Sequence, residues 1–307
     1  MRLGFHVPVG RGFLWAARHA REIGCECVQI FVRNARGWRG RAYSQREIET
    51  FRTLLTENRI APLIVHSCYL VNLASSNAAL LAKSRAAVAD DMRRAAMLGS
   101  ATVTAHTGHD MGAGTAAGIR ILAESVRLLA TEAPPGMELL LENSARRTQL
   151  GGDWEHFAQL LNELDGEPRL GFCFDTCHAH AAGYRLDGAR WVARTLGEFD
   201  AVLGLARLRL IHLNDSRGEA GGSWDRHAPI GAGTIGDAGF RAFLRRRWLR
   251  GRCAILETPI AHPSDDARNI AHARELMTGN RAKPRIRHSS ARAANVAWRQ
   301  DPSLRSG

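Results

Sequence analysis

Lysine is almost missing from this chain. Only Lys83 and Lys283 stand among 42 basic side chains in 307 residues, so the formal net charge of +12 is carried almost entirely by arginine. Cysteine is also sparse. Six cysteines with no C-x-x-C pair do not make a disulfide scaffold, and they are expected to be small buried hydrophobes in a reducing cytoplasm. No window approaches the ~18 consecutive apolar residues of a membrane span. Residues 1–6 lack the apolar core of a secretion signal, so export is not expected and a cytoplasmic, nucleoid-associated location is. A glycine-rich dinucleotide loop is missing too. Gly10-x-Gly12 after the first apolar run is too short for that fingerprint, which disfavours a doubly wound open sheet. At 45% hydrophobic residues the chain can bury a sizeable core, which excludes disorder as its main state.

The charge has a definite location. Residues 280–307 carry seven basic side chains (Arg281, Lys283, Arg285, Arg287, Arg292, Arg299, Arg305) against the single acid Asp301, a net of +6. The segment has no apolar periodicity and holds Pro284 and Pro302, so it reads as a disordered basic tail suited to tethering phosphates. The remaining +6 is spread over residues 1–279.

Those 279 residues alternate short apolar runs with longer amphipathic ones. The short runs span residues 3–7, 27–32, 62–66, 101–106, 137–142, 170–175, 208–213 and 253–257. Most lack polar alternation, as suits strands buried on both faces of a parallel sheet. Helices are expected over 13–23, 44–58, 77–98, 116–131, 154–164, 188–203, 237–248 and 265–277, the second opened by a Ser44/Glu47 capping box. Eight strand–helix pairs predict a single (β/α)₈ TIM barrel over residues 1–279, followed by the basic tail 280–307.

In such a barrel the chemistry sits where strands end. Here the third to eighth apolar runs end in or on His66, His106, Glu142, Asp175, His212 and Glu257. His178 follows Asp175 by three residues, and Asp225 and His227 lie in the long loop after His212. One such residue alone reads as a structural histidine or a helix cap. Nine together are costly to bury, because adjacent carboxylates repel and each buried polar group needs a partner. Divalent cations relieve both problems, and mixed imidazole–carboxylate ligation suits Zn²⁺, Mn²⁺ or Fe²⁺. Nine candidates exceed the needs of one ion and point to two or three. The reaction that best uses such a cluster is phosphodiester hydrolysis, so a phosphate-bearing substrate is expected.

The motifs resemble those of the endonuclease IV family of apurinic/apyrimidinic (AP) endonucleases, within the xylose-isomerase-like TIM barrels. The resemblance is carried by Gly4-Phe5-His6-Val7, Asn34-Ala35-Arg36-Gly37-Trp38, His66-Ser67-Cys68-Tyr69-Leu70-Val71-Asn72-Leu73, Glu142-Asn143-Ser144-Ala145, the run from Phe174-Asp175 through His178 to Tyr184, His212-Leu213-Asn214-Asp215-Ser216, Asp225-Arg226-His227, Gly231-Ala232-Gly233-Thr234-Ile235-Gly236 and Leu256-Glu257-Thr258. It implies a trinuclear zinc site, with Mn²⁺ as an alternative at one position. His66, His106 and Glu142 would hold one ion. Glu142 would bridge to a second, completed by Asp175, His212 and Glu257. His178, Asp225 and His227 would hold the third, with Glu142 and Glu257 also in catalytic positions. The resemblance further implies base excision repair: a hydroxide shared by two ions cuts double-stranded DNA on the 5′ side of an abasic site, leaving a 3′-hydroxyl, and blocked 3′ ends are cleaned. Arg36, Tyr69 and Leu70 match residues that enter the DNA where the base is missing. A monomer is implied.

Three positions depart from the family pattern: Ala232 for a usual Glu, Thr107 for a usual Pro, and Arg146-Arg147 for a Gly-containing stretch. The two arginines are candidates for added phosphate contacts. His109 and His180 read as structural. The rival reading, a sugar isomerase or epimerase, leaves His178, Asp225 and His227 idle and finds no lysine near the metals. A non-catalytic DNA-binding protein would have no use for nine costly ligands.

Overall fold

The computed structural model describes residues 1–279; the expected tail 280–307 lies outside the described residues. In chain order the elements are β1 (Arg2–His6), α1 (Phe13–Glu22), β2 (Cys27–Phe31), α2 (Gln45–Glu57), β3 (Leu63–His66), α3 (Ala78–Leu98), β4 (Thr102–His106), α4 (Thr115–Glu132), β5 (Glu138–Glu142), α5 (Trp154–Glu163) and β6 (Leu170–Asp175). They continue with α6 (Thr176–Ala181), α7 (Ala189–Leu203), β7 (Leu208–His212), β8 (Asp215–Ser216), β9 (His227–Ala228), α8 (Gly236–Leu244), β10 (Cys253–Leu256) and α9 (Asp265–Thr278). Eight strands close a barrel in the order β1-β10-β7-β6-β5-β4-β3-β2, parallel throughout. This is the TIM barrel the alternation predicts.

Local sequence explains where helices begin and end. At α2, Ser44 Oγ accepts the Glu47 N–H at 3.2 Å and the Glu47 carboxylate accepts the Ser44 N–H at 2.9 Å, completing the expected capping box. Helix α3 starts on the Asn77 side chain and stops at Gly99, whose φ of 85° closes the last turn without a Cβ clash. The helix expected over 237–248 ends instead at Leu244. The chain then turns extended at Arg246 so that Leu249 can bury completely.

The two-residue period of the strands sorts their side chains into an inward and an outward set. Inward, Cys27, Ile64, Leu140, Cys173, Leu210, Cys253 and Ile255 form a closed apolar layer of their own. Outward, residues such as Val28, Val65, Leu139, Leu141, Phe172, Phe174 and Ile211 pack with the helices. Two residues beyond the inward layer, on the same faces, stand Gln29, His66, Glu142, Asp175 and His212. The apolar layer is thus the floor of the site. Cys27, Cys173 and Cys253 belong to it, and Cys25, Cys68 and Cys177 are buried elsewhere, as expected of small hydrophobes. Among the described residues, no helix is long and apolar enough to cross a membrane.

Candidate metal centre

The strand ends of β3 to β7 deliver His66, His106, Glu142, Asp175 and His212 to one mouth of the barrel. Glu257 arrives as the residue after β10, one position past the strand. Two short elements that the periodicity does not show bring in the rest. Asp175 caps the six-residue α6, its Oδ1 accepting the His178 N–H at 2.8 Å, and so aims that helix and His178 at the site. The antiparallel pair β8–β9 then returns the chain and places His227 beside Asp225.

Five overlapping ligand groups result among the described residues, each with its atoms within 4.8 Å of one another, and three of them together take in all nine expected ligands: His66–His106–Glu142, Glu142–Asp175–His212–Glu257, and His178–Asp225–His227. Glu142 belongs to the first two through different oxygens. Its Oε2 lies 3.1 Å from His66 Nε2 and 3.8 Å from His106 Nε2, while Oε1 lies 2.9 Å from His212 Nδ1. In the third group Asp225 Oδ1 stands 3.1 Å from His178 Nε2 and 3.4 Å from His227 Nε2.

The ring nitrogens that face away from these groups are occupied. His66 Nδ1–H donates to the Ser67 carbonyl at 2.7 Å and His178 Nδ1–H to the Asn143 carbonyl at 2.8 Å. His227 Nδ1–H donates to the Glu257 carbonyl at 3.2 Å, and His212 Nε2–H to Gln29 Oε1 at 3.0 Å. Each of these four rings therefore turns its other nitrogen toward carboxylate oxygens, an arrangement that a cation can bridge by taking the place of a proton. The Nε2 of His227 is buried and makes no hydrogen bond. Glu142 and Asp175 are almost wholly buried side by side with imidazoles, and a mixed nitrogen–oxygen donor set of this kind fits divalent cations of the zinc type. Zinc-type ions fit all three groups.

The electrostatics agree. Burial opposes ionisation of Glu142, but His212, His106 and His66 outweigh it and hold the carboxyl well below its ordinary value. Glu257 is lowered in the same sense: burial opposes it, and chiefly His212 prevails. His178 chiefly, with His227, pulls Asp225 down. Burial works against charging of His212 and His178. Cys173, Glu257 and Glu142 outweigh it at His212, and Asp175, Asp225 and Glu142 at His178, so both imidazoles are held well above 6.5. Cys177 offers an alternative donor beside Asp175 and His227. Burial pushes its thiol up to about 12, so the ionised Asp225 is the better ligand.

Supporting residues lie behind the ligands. Asn143 Oδ1 accepts the Asp175 N–H at 2.7 Å, and Asn214 spans Asp175 Oδ2 at 2.7 Å and the Glu257 N–H at 2.8 Å. Gln29, already bonded to His212, links two more groups, its amide donating to Glu257 Oε1 at 2.8 Å and to His6 Nδ1 at 2.9 Å. Gln29 was not apparent from the sequence, because a lone glutamine in an apolar strand carries no pattern. Its inward alternation with Cys27 is the signal that would have found it. Asp215 is fully buried and accepts the N–H groups of Ser216, Gly231, Gly233 and Ile235, which fixes the turn that holds Ala232. Ala232 itself is exposed, so the turn keeps its form without the usual Glu.

Above the ligands the mouth opens into a cavity of ≈ 720 Å³, walled also by Tyr69, Arg217, Arg226 and Pro259. Tyr69 is 56% exposed and Leu70 36%. The Tyr69 N–H donates to the Ala35 carbonyl at 2.9 Å, which sets the exposed Arg36 next to them on the rim. Two of the other departing residues serve the fold. Thr107 Oγ1 donates to the Leu150 carbonyl at 2.7 Å, and Arg147 is held by Asp153 at 2.7 Å. His180 is buried between the Leu186 N–H and Thr234, and His109 is exposed, its backbone paired with Asn72.

Residues 17–279 match the model of the xylose isomerase-like TIM barrel family. A protein of Methanoculleus marisnigri named "Probable endonuclease 4" is 40% identical over 276 residues, 89% of this chain and 98% of that protein. The crystal structure of endonuclease IV from Thermus thermophilus is 34% identical, with a TM-score of 0.79 over 91% of this chain and 100% of that one. D-Psicose 3-epimerase from Clostridium cellulolyticum, at 14% identity and a TM-score of 0.67 over 90% of this chain and 98% of that one, shows only the shared barrel. The chain belongs to the endonuclease IV family of xylose isomerase-like TIM barrels.

Proposed function

We propose that this chain is a DNA-cleaving hydrolase of base excision repair. It cuts the phosphodiester 5′ to an abasic site to leave a 3′-hydroxyl, and it trims blocked 3′ ends. The observation that carries the reading is the sharing of Glu142, one oxygen toward His66 and His106 and the other toward His212. Together with the third group, this supports a centre for three zinc-type ions, with Mn²⁺ as an alternative at one position. Bound ions supply a water acidic enough to attack near neutral pH and stabilise charge on the phosphate and the leaving oxygen.

The protein groups hold, orient and exclude. Glu142, Glu257 and Asp225 remain ionised at neutral pH because their imidazole neighbours lower their pKa values, so they act as ligands and not as proton stores. Arg217 and Arg226 wall the cavity and offer guanidinium groups to the phosphates on either side of the cut. Tyr69 and Leu70, with Arg36 beside them, fill the gap in the base stack where the base is missing, and the low cost of unstacking there favours abasic sites.

The isomerase reading fits less well. It gives no role to His178, Asp225 and His227, and Lys83 lies on α3 over the Trp38 ring, away from the centre. The test is incubation of the purified protein with a duplex holding one abasic site. A nick whose 3′ terminus primes a DNA polymerase is expected. An intact duplex together with turnover of a ketose would overturn the reading.

A further inference from the structure

The centre opens sideways into a second cleft of ≈ 510 Å³. His106, His178, Asp225 and Arg226 border both spaces, so the two are continuous. The far wall of the second cleft carries Trp224, Arg146 and Gln149.

Trp224 is 66% exposed, more than any other large hydrophobic side chain among the described residues. Trp15, Trp38, Trp154 and Trp191 each have a ring, an ammonium or a guanidinium against a face. Among the described residues nothing of the kind covers Trp224. An exposed indole offers a flat face on which a base can stack. Its exposure does not come from a loose loop. The Gly221 N–H donates to the His180 carbonyl at 3.0 Å, the Ser223 N–H to the Ala181 carbonyl at 2.9 Å, and the Arg217 N–H to the Arg226 carbonyl at 2.9 Å. Ser223 is held at a φ of 58°, a conformation a non-glycine residue adopts at some cost. The backbone is thus fixed on both sides so that the indole stands out.

The charges nearby are also free to act. Arg146 is exposed and makes no ion pair among the described residues, unlike its neighbour Arg147, which is bound to Asp153. Arg226 is exposed, and among the described residues its guanidinium reaches only the Asp225 carbonyl, at 3.4 Å. An open indole with two guanidinium groups beside a phosphodiester centre matches the chemistry of nucleotide binding: stacking on a base and charge on its phosphates.

We propose that this second cleft is a nucleobase subsite. An unstacked base of the DNA bordering the cut stacks on Trp224, its phosphates lie against Arg146 and Arg226, and Gln149 serves the base edge. The proposal rests on the DNA-cleaving function above. Its test places 2-aminopurine next to a non-cleavable abasic analogue in a duplex and titrates it with the metal-loaded protein, as wild type, Trp224→Ala and Trp224→Phe. Stacking on the indole predicts quenched fluorescence with wild type. It also predicts loss of the quench and about tenfold weaker binding with Trp224→Ala, and partial retention of both with Trp224→Phe. If the wild type nicks abasic DNA but Trp224→Ala binds and quenches as wild type does, the subsite is wrong and the function stands. If the wild type fails to nick, the function falls first and the subsite with it.

Discussion

Gln29 Oε1 and His212 Nε2 lie 3.0 Å apart, and this contact decides which nitrogen of His212 faces the ligand groups. The Gln29 amide is already committed as a donor to Glu257 and His6, so its oxygen can only accept. His212 must therefore carry a proton on Nε2, and Nδ1 is left toward Glu142 at 2.9 Å and Glu257 at 3.4 Å. One buried amide sets the tautomer of a ligand and the position of a second.

Gln29→Leu keeps the volume and removes all three contacts. Zinc retention, measured by competition with a chromophoric chelator, is expected to fall by about 10- to 100-fold, with an unchanged circular dichroism spectrum. Wild-type retention would show that His212 is oriented by something else.

Glu142→Gln removes the charge that two groups share. Cleavage of an abasic duplex is expected to vanish, and the metal content to drop below that of the wild type, while the barrel stays folded. A variant that cuts at the wild-type rate would remove Glu142 from the bridging position.

The metal-free protein should depend on pH in a defined direction. His178 and His212 have folded-state pKa values raised above 6.5, so the stability they contribute is full below that value and is lost as pH rises through the folded values. Glu142, Glu257 and Asp225 have lowered values, so their contribution is present above the ordinary carboxylate range and is lost as pH falls through the folded values. Burial lowers the pKa of His6, His106, His156 and His180 and pulls the other way, but His178 and His212 carry the larger shifts, so chelated protein is expected to be most stable in mild acid and its Tm to decline from neutral to alkaline pH. Loading with zinc displaces the imidazole protons, so uptake in weak buffer should acidify the solution and the Tm decline should flatten. A chelated protein whose Tm rises through neutral pH would contradict this.

Tyr69→Ala with Leu70→Ala alters two largely exposed side chains on the rim. Affinity for abasic over intact duplex, measured by fluorescence anisotropy, is expected to fall, while zinc content holds. An unchanged preference would assign the pair to loop packing alone.

Much of this architecture was legible in the sequence for identifiable reasons. Strands buried on both faces read as unbroken apolar runs, so the barrel and the strand ends at His66, His106, Glu142, Asp175 and His212 could be located. The six residues of α6 and the two-residue strands β8 and β9 are too short to show a period, although they place His178 and His227. Arg147 looked available for phosphate and is instead bound to Asp153, a pairing across a loop that sequence order does not show. Gln29 and Trp224 were invisible for a related reason: each acts through neighbours supplied by other parts of the chain.

Nine residues are proposed to form one centre for three ions. Elemental analysis of the purified protein, referred to chain concentration, should find close to three zinc-type ions per chain, falling by about one when His178 and His227 are both replaced by alanine, since those two imidazoles belong to the third group and to neither of the groups that share Glu142. A wild-type content of one ion per chain, unchanged by that double substitution, would contradict it.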